Sequence, residues 1–312
     1  MNEFELIRRY FERPAPSALL GVGDDAALLR VSDNKVLAVS TDMLVCGVHF
    51  FADADPYSLG HKTLAVNLSD MAAMGAVPRW ATLSIAMPEA DEAWLEKFSS
   101  GFFALADVHD VSLVGGDTTR GPLNLCVTIM GEVDADLALK RSGAKAGDEI
   151  WVSGNLGDAA LALAHLKGNI VLEQEAFLAC ANALHKPDPR VALGQSLCGI
   201  ASSAIDISDG LLSDLGHVLA ASGVGAVLDF WSIPVSEIMR KHIDQEIAKR
   251  FILTGGDDYE LCFTVPASRH SDVLEIGVPL ACIGRIVQGT GCIVMDGAER
   301  LAVESGGYDH FR

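Results

Sequence analysis

Apolar side chains recur along this chain at two spacings. Runs such as VLAVST at 36–41 and RWATLSIAM at 79–87 predict strands, with further strands at 111–114 and 123–133. Between them, apolar positions at helical spacing predict helices over 58–75 and 91–108. The order strand, helix, strand, helix, strand, strand describes a sheet with helices on one face. Residues 134–148, DADLALKRSGAKAGD, are polar and glycine-bearing and read as a link between domains. A second alternation follows: strand 149–153, helices near 156–167, 173–184 and 190–201, strand 203–207, helix 211–221, strand 225–230 and helix 235–249. Short strands near 251–254, 260–265, 280–286 and 292–295 close it. This predicts two α/β domains, and no repeat of 20 to 50 residues points to a solenoid.

Charge narrows the function. The 312 residues carry 42 acidic and 23 basic side chains, a formal charge of −19, which repels polyanions and argues against nucleic acid and anionic membranes as partners. A phosphorylated small molecule is compatible only where divalent cations or placed arginines neutralise it. No run reaches the roughly eighteen apolar residues of a membrane-spanning helix. The segment MNEFELIRRYFERPAP has no signal-peptide core, so a cytoplasmic location is expected. Seven cysteines (46, 126, 180, 198, 262, 282 and 292) form no C-x-x-C pair, which favours reduced thiols over disulfides or zinc.

The aspartates carry the chemistry. Asp24 and Asp25 follow the glycine turn Gly21-Val22-Gly23. Thr41-Asp42 is placed at the end of the first strand, where α/β sheets deliver ligands. Asp70 sits inside an apolar helix with Val66 and Met74 at i−4 and i+4, so no basic side chain pairs with it at that spacing. Gly115-Gly116-Asp117-Thr118-Thr119-Arg120 follows a strand and offers hard oxygen ligands with an arginine fork. Asp206 interrupts an apolar strand just before Ser208-Asp209-Gly210. A calcium EF-hand fails there, because it needs glycine at Leu211 and glutamate at His217. Gly255-Gly256-Asp257-Asp258-Tyr259-Glu260 repeats the glycine–aspartate junction. Each cluster alone also reads as an ordinary turn, hairpin or helix N-cap. Together they point to a multi-metal or phosphate site. P-loop, dinucleotide and protein-kinase motifs are all missing.

At these segments the chain resembles the thiamine-monophosphate kinase family, a bacterial branch of the aminoimidazole-ribonucleotide-synthetase-like superfamily. The strings are GVGDDAALL, STDMLVCGVHF, KTLAVNLSDMAAMGA, GGDTTRGPL, RSGAKAGD, IDISDGLLSDLGH, GGDDYELCFTVP and GYDHF, spread over essentially the whole length. The resemblance implies a two-domain, PurM-like α/β (α+β) fold. Its N-terminal ferredoxin-like sheet at 1–137 would carry ATP and metal binding and pair into a barrel in a homodimer, and an α/β domain at 138–312 would complete the active site in a cleft between domains. It implies phosphorylation of thiamine monophosphate to thiamine diphosphate by ATP with several magnesium ions, the final step of thiamine diphosphate formation. Carried over residue by residue, the metal ligands are Asp25, Thr41, Asp42, Asp70, Asp117, Asp206 and Asp209. ATP is met by Gly116, Asp117, Arg141 and Ser208, and thiamine monophosphate by His49, Asp257 and Tyr308. The chain departs from the family at Asp257, where glutamate is common, and at His109, where relatives often carry tyrosine.

The chemistry expected of such a site follows from charge. The acceptor phosphate oxygen is already anionic, so the aspartates hold ions and do not act as acid–base groups. Two alternatives stand beside this reading: an ATP-dependent synthetase of the same superfamily, and a non-catalytic sensor of nucleotide or thiamine phosphate.

Overall fold

The computed structural model of the chain describes residues 2–243 and 245–302. Helix α1 (Glu3–Tyr10) begins at a capping box in which Asn2 and Glu5 satisfy each other's backbone N–H. Its buried Leu6 and Tyr10 stand four residues apart, on one helix face. The chain divides into two units, Met1–Met71 with Ala76–Asp136, and Ala72–Gly75 with Leu137–Arg312.

In the first unit, β1 (Val36–Val45), α2 (Pro56–Ala73), β2 (Val77–Met87), α3 (Glu92–Val108), β3 (Ser112–Arg120) and β4 (Asn124–Val133) follow in order. The four strands lie as β1-β4-β2-β3. β4 is antiparallel to both neighbours, and β2 is parallel to β3 across the α3 crossover. Alternation gives the sheet two faces. Leu125, Val127 and Ile129 point into the core, while Leu37, Val39 and Met43 on β1 are 41%, 56% and 52% exposed on the other side. α2 is buried continuously from Lys62 to Ser69, and its buried polar groups are satisfied along the helix: the Thr63 hydroxyl donates to the Leu59 carbonyl and the Asn67 amide to the Thr63 carbonyl. α2 and α3 meet where Gly60 and Gly101 let the two backbones touch; a Cβ on Gly60 would lie 2.0 Å from the Phe98 carbonyl oxygen.

The second unit runs β5 (Glu149–Ser153), α4 (Asp158–Leu166), α5 (Gln174–His185), α6 (Val191–Leu197), β6 (Ser203–Asp206), α7 (Leu211–Ser222), β7 (Gly225–Asp229), α8 (Glu237–Arg240), α9 (Glu246–Thr254), β8 (Leu261–Val265), α10 (His270–Glu275), β9 (Leu280–Val287), β10 (Gly291–Asp296) and β11 (Glu299–Arg300). Its seven strands lie as β11-β10-β7-β9-β5-β8-β6, antiparallel except for β10 beside β7. Ile150, Val152, Ile205, Leu215, Leu228 and Ile252 share its core.

Several predicted elements are corrected. β1 continues through Thr41-Asp42 to Val45, because each residue from 36 to 45 is paired with β4. The GGDTTR segment is the second half of β3, held in register with β2 from Thr82 to Met87, and not a loop after a strand. The helix expected at 235–249 breaks at Lys241, where the amides of Lys241 and His242 turn back to Ile238 and Met239. Residues 251–254 are helix and not strand: Ile252 and Leu253 form the buried face of α9 together with Ala248.

Candidate active site

In the first unit the sequence-selected groups gather around β1. Ser40 and Asp42 lie on the face of β1 that also carries the buried Leu44. The Ser40 hydroxyl donates to the Asp70 carboxylate of α2 at 2.5 Å, and the backbone N–H of Asp42 donates to Asn67 Oδ1 at 3.2 Å. β1 and α2 are thus stitched together at the two carboxylates. Asp70 is half-buried, on the rim of an otherwise buried helix. Just beyond β1, the Val45 N–H donates to His49 Nδ1 at 3.0 Å. That contact makes Nδ1 an acceptor and leaves the ring proton on Nε2.

Thr41 faces the opposite side of the sheet, its hydroxyl 2.9 Å from that of Thr128. Asp117 occupies the exposed face as well: Met43, Cys126, Ser84 and Asp117 are opposite one another across the four strands. β1 and β3 are the two edges of this sheet, roughly three strand spacings of about 4.8 Å apart. The packing of α2 on β1 therefore sets Asp70 beside the Ser40–Asp42 face, while Asp117 lies on the other face and at the other edge of the sheet. Asp25 is exposed in the segment between the paired residues Leu20 and Leu28, and its own N–H donates to Asp24.

In the second unit two loops run side by side. Asp206, 6% exposed, ends β6 opposite Leu261 of β8, and Ser208-Asp209-Gly210 then turns into α7. One oxygen of Asp214 accepts the N–H groups of Ser208, Asp209 and Gly210 at 3.0, 3.0 and 3.1 Å. Burial pushes the Asp214 carboxyl up to about 7, aided by the charge of Asp209 and opposed by the three amides. The second loop, Gly255 to Glu260, is laced to the first: Asp257 N–H donates to the Ser208 carbonyl and Tyr259 N–H to that of Ile207, both at 2.8 Å. Asp206, Ser208, Asp209 and Asp257 therefore share one patch of this unit.

Arg141 lies elsewhere in the unit. Its carbonyl accepts from Ser222 at the last residue of α7, whereas Ser208 and Asp209 head the other end of that 12-residue helix, about 18 Å long. Its side chain is exposed. Tyr308 lies outside the described residues. Among the described residues no group of three or more His, Cys, Asp or Glu side chains stands in a metal-holding arrangement. All seven cysteines are free thiols.

Three groups stand inside the quoted strings without a role of their own. Ser40 heads STDMLVCGVHF, and only the helix packed against β1 reveals what it holds. Asp214 reads as an ordinary first-turn helix charge. Glu260 reads as the polar start of a strand, although a carboxylate abutting the apolar run LCFTV is a signal that something must satisfy it.

The first unit is thus a four-stranded sheet whose Asp42 lies on the face that packs against Asp70 of α2, and the second an α/β unit with an aspartate–glycine turn ahead of α7. The family model for the AIR synthase related protein, N-terminal domain, matches residues 23–133. Over 99% of its length the chain is 49% identical to the thiamine-monophosphate kinase of Salmonella typhimurium, covering 98% of that protein. The solved thiamine-monophosphate kinase of Stenotrophomonas maltophilia matches with a TM-score of 0.85 at 47% identity, over 95% of this chain and 96% of that one. A structure described as AaThiL complexed with AMPPCP and TMP matches with a TM-score of 0.81 at 29% identity, over 99% and 96% of the two chains. The chain belongs to the thiamine-monophosphate kinase family.

Proposed function

We propose that the chain transfers the terminal phosphoryl group of ATP to the phosphate of thiamine monophosphate, releasing ADP and thiamine diphosphate. The observation that carries this is the 49% identity to a thiamine-monophosphate kinase across both units, over 99% of the chain. The relative bound to AMPPCP, an ATP analogue, together with TMP supports the pairing of substrates.

The acceptor oxygen is anionic at neutral pH, so transfer needs no general base; the barrier is repulsion between two phosphates. The donor set fits magnesium. It consists of hard carboxylate and hydroxyl oxygens, and magnesium bound with phosphates takes only one or two carboxylates per ion, keeping waters elsewhere. Asp42 with Asp70, and Asp206 with Asp209, each supply such a pair; Thr41 and Asp117, on the other face of the first sheet, and the exposed Asp25 would hold further ions. When bound, magnesium neutralises and aligns the phosphates. Ser40 restrains Asp70, and Asp214 shapes the turn that presents Ser208 and Asp209. ATP is received by Gly116, Asp117 and Ser208, with Arg141, at the far end of α7 from Ser208, reaching a separate part of the extended nucleotide through its exposed side chain. His49 offers its Nε2–H to thiamine monophosphate, Asp257 faces the substrate's cationic portion, and Tyr308 adds an aromatic contact.

We place the enzyme in the cytoplasm, as a homodimer whose N-terminal sheets pair into a barrel. The exposed Leu37, Val39 and Met43 support that pairing, since such an apolar face favours burial against a second copy. No helix among the described residues is long and apolar enough to cross a membrane. A charge of −19 makes nucleic acid an unsuitable partner.

ADP release, followed with ATP and magnesium, tests the function. The expected result is ADP only when thiamine monophosphate is present, none with free thiamine, and none after chelation. ATP binding without any substrate-dependent ADP would mark a sensor and overturn the proposal.

A further inference from the structure

The loop that carries Asp257 has an unusual backbone. Asp257 and Tyr259 adopt φ of +69° and +50°, the left-handed region that side chains other than glycine avoid. Such a conformation persists only where the surroundings over-determine it. Here the residues alternate in role. Asp257 and Tyr259 are half-buried and joined by a hydrogen bond from the phenol to Asp257 Oδ1 at 3.1 Å. Asp258 and Glu260 are buried at 8% and 6% exposure and act as anchors.

The anchoring is specific. Both oxygens of Asp258 accept the Gly157 N–H, at 3.0 and 3.1 Å. Glu260 accepts from Ser153 Oγ at 2.5 Å and from the Arg190 fork, Nε at 2.6 Å and Nη2 at 2.5 Å. Ser153 Oγ in turn accepts the Leu261 N–H at 2.9 Å. A Cβ on Gly154 would lie 1.9 Å from Glu260 Oε1, so the carboxylate occupies the space a side chain there would need. Arg190 also reaches Asp188 at 2.7 Å. The fork is the one cationic group among these anchors. A bidentate arginine–carboxylate contact fixes orientation as well as distance.

We propose that Arg190 is a positioning residue for the phosphate-accepting substrate. By gripping Glu260 it fixes the left-handed turn from which Asp257 and Tyr259 meet the cationic part of that substrate. This rests on the reading of Asp257 as a substrate contact.

The test measures KM for each substrate separately in Arg190→Lys, which keeps the charge and loses the fork. The expected result is a KM for thiamine monophosphate raised about tenfold, equivalent to about 1.4 kcal/mol, with KM for ATP within about twofold. Asp257→Asn raises the same KM. Adding Arg190→Lys to Asp257→Asn then changes it little, because the two residues act through one contact. Glu260→Gln, which breaks the same grip from the other side, repeats the pattern if the lysine variant fails to fold. A fall in kcat or melting temperature with both KM values unchanged overturns the proposal and marks Arg190 as structural only. Fully additive effects in the double variant also overturn it. An Asp257→Asn enzyme with a normal KM overturns the substrate reading itself, whereas an impaired Asp257→Asn beside a normal Arg190→Lys overturns the positioning role alone.

Discussion

The hydroxyl of Ser40 on β1 donates to the carboxylate of Asp70 on α2, 2.5 Å away, and so fixes the orientation of an acidic side chain at the rim of a buried helix. Asp70→Asn keeps the size and the capacity to accept from Ser40 but removes the charge that would hold a cation. We expect it to lower kcat by roughly a hundredfold or more with an unchanged melting curve, and Ser40→Ala to lower it by about tenfold. Asp206→Asn should resemble Asp70→Asn. Near-normal turnover of both aspartate variants at saturating magnesium would remove the metal-ligand assignment.

Asp214 organises the turn ahead of α7 through three amides, and its loss should be felt in stability. Asp214→Ala leaves those N–H groups without their acceptor, and we expect a cost of about 3 kcal/mol in chemical denaturation.

The same residue predicts a pH dependence. Burial raises the folded-state value from 3.8 to about 7, so the folded chain holds this proton more tightly than the unfolded chain does. Protonation then favours folding. The contribution is complete below about pH 4 and is lost as pH rises to about 7. In metal-free buffer, the melting temperature of the parent should fall relative to that of Asp214→Asn across this window. A parallel pair of curves would contradict the assignment.

His49 should carry its proton on Nε2, because Nδ1 accepts from Val45. Nitrogen NMR at neutral pH should show an unprotonated Nδ1, and His49→Ala should raise KM for thiamine monophosphate by about tenfold. A protonated Nδ1, or an unchanged KM, would remove His49 from the proposed substrate site.

The open face of the first sheet makes a separate prediction. Val39→Glu with Met43→Glu places two charges on side chains that are 56% and 52% exposed in the single chain. Sedimentation should show the parent as a dimer and the double variant as a folded monomer. A monomeric parent would contradict the pairing.

Hydrophobic spacing made most of this fold legible, since β2, α3, β4 and α7 follow their apolar periods closely. It failed where a run was ambiguous. The residues FILT at 251–254 have strand-like composition, yet Ile252 and Leu253 serve the buried face of α9. GGDTT looks like a loop because glycine breaks strands in isolation, but in β3 it lies directly against β2. Helix α1 was in reach through its capping box at Asn2 and Glu5, with Leu6 and Tyr10 four residues apart. The aspartates were legible as residue types. Their grouping was not, because it depends on which face of which strand each occupies: Asp42 and Thr41 are adjacent in sequence and point to opposite sides of the sheet. Arg190 meets Glu260 across 70 residues and Ser153 meets it across 107, separations that no local pattern encodes, whereas Asp214 holds the turn four to six residues before it and was hidden because it looks like an ordinary first-turn helix charge.

Phosphorus NMR of the protein with ATP, magnesium and thiamine monophosphate follows donor, acceptor and both products at once. Thiamine diphosphate should appear at one equivalent per ADP, with no inorganic phosphate. Inorganic phosphate accumulating beside unchanged thiamine monophosphate would contradict phosphoryl transfer to that acceptor.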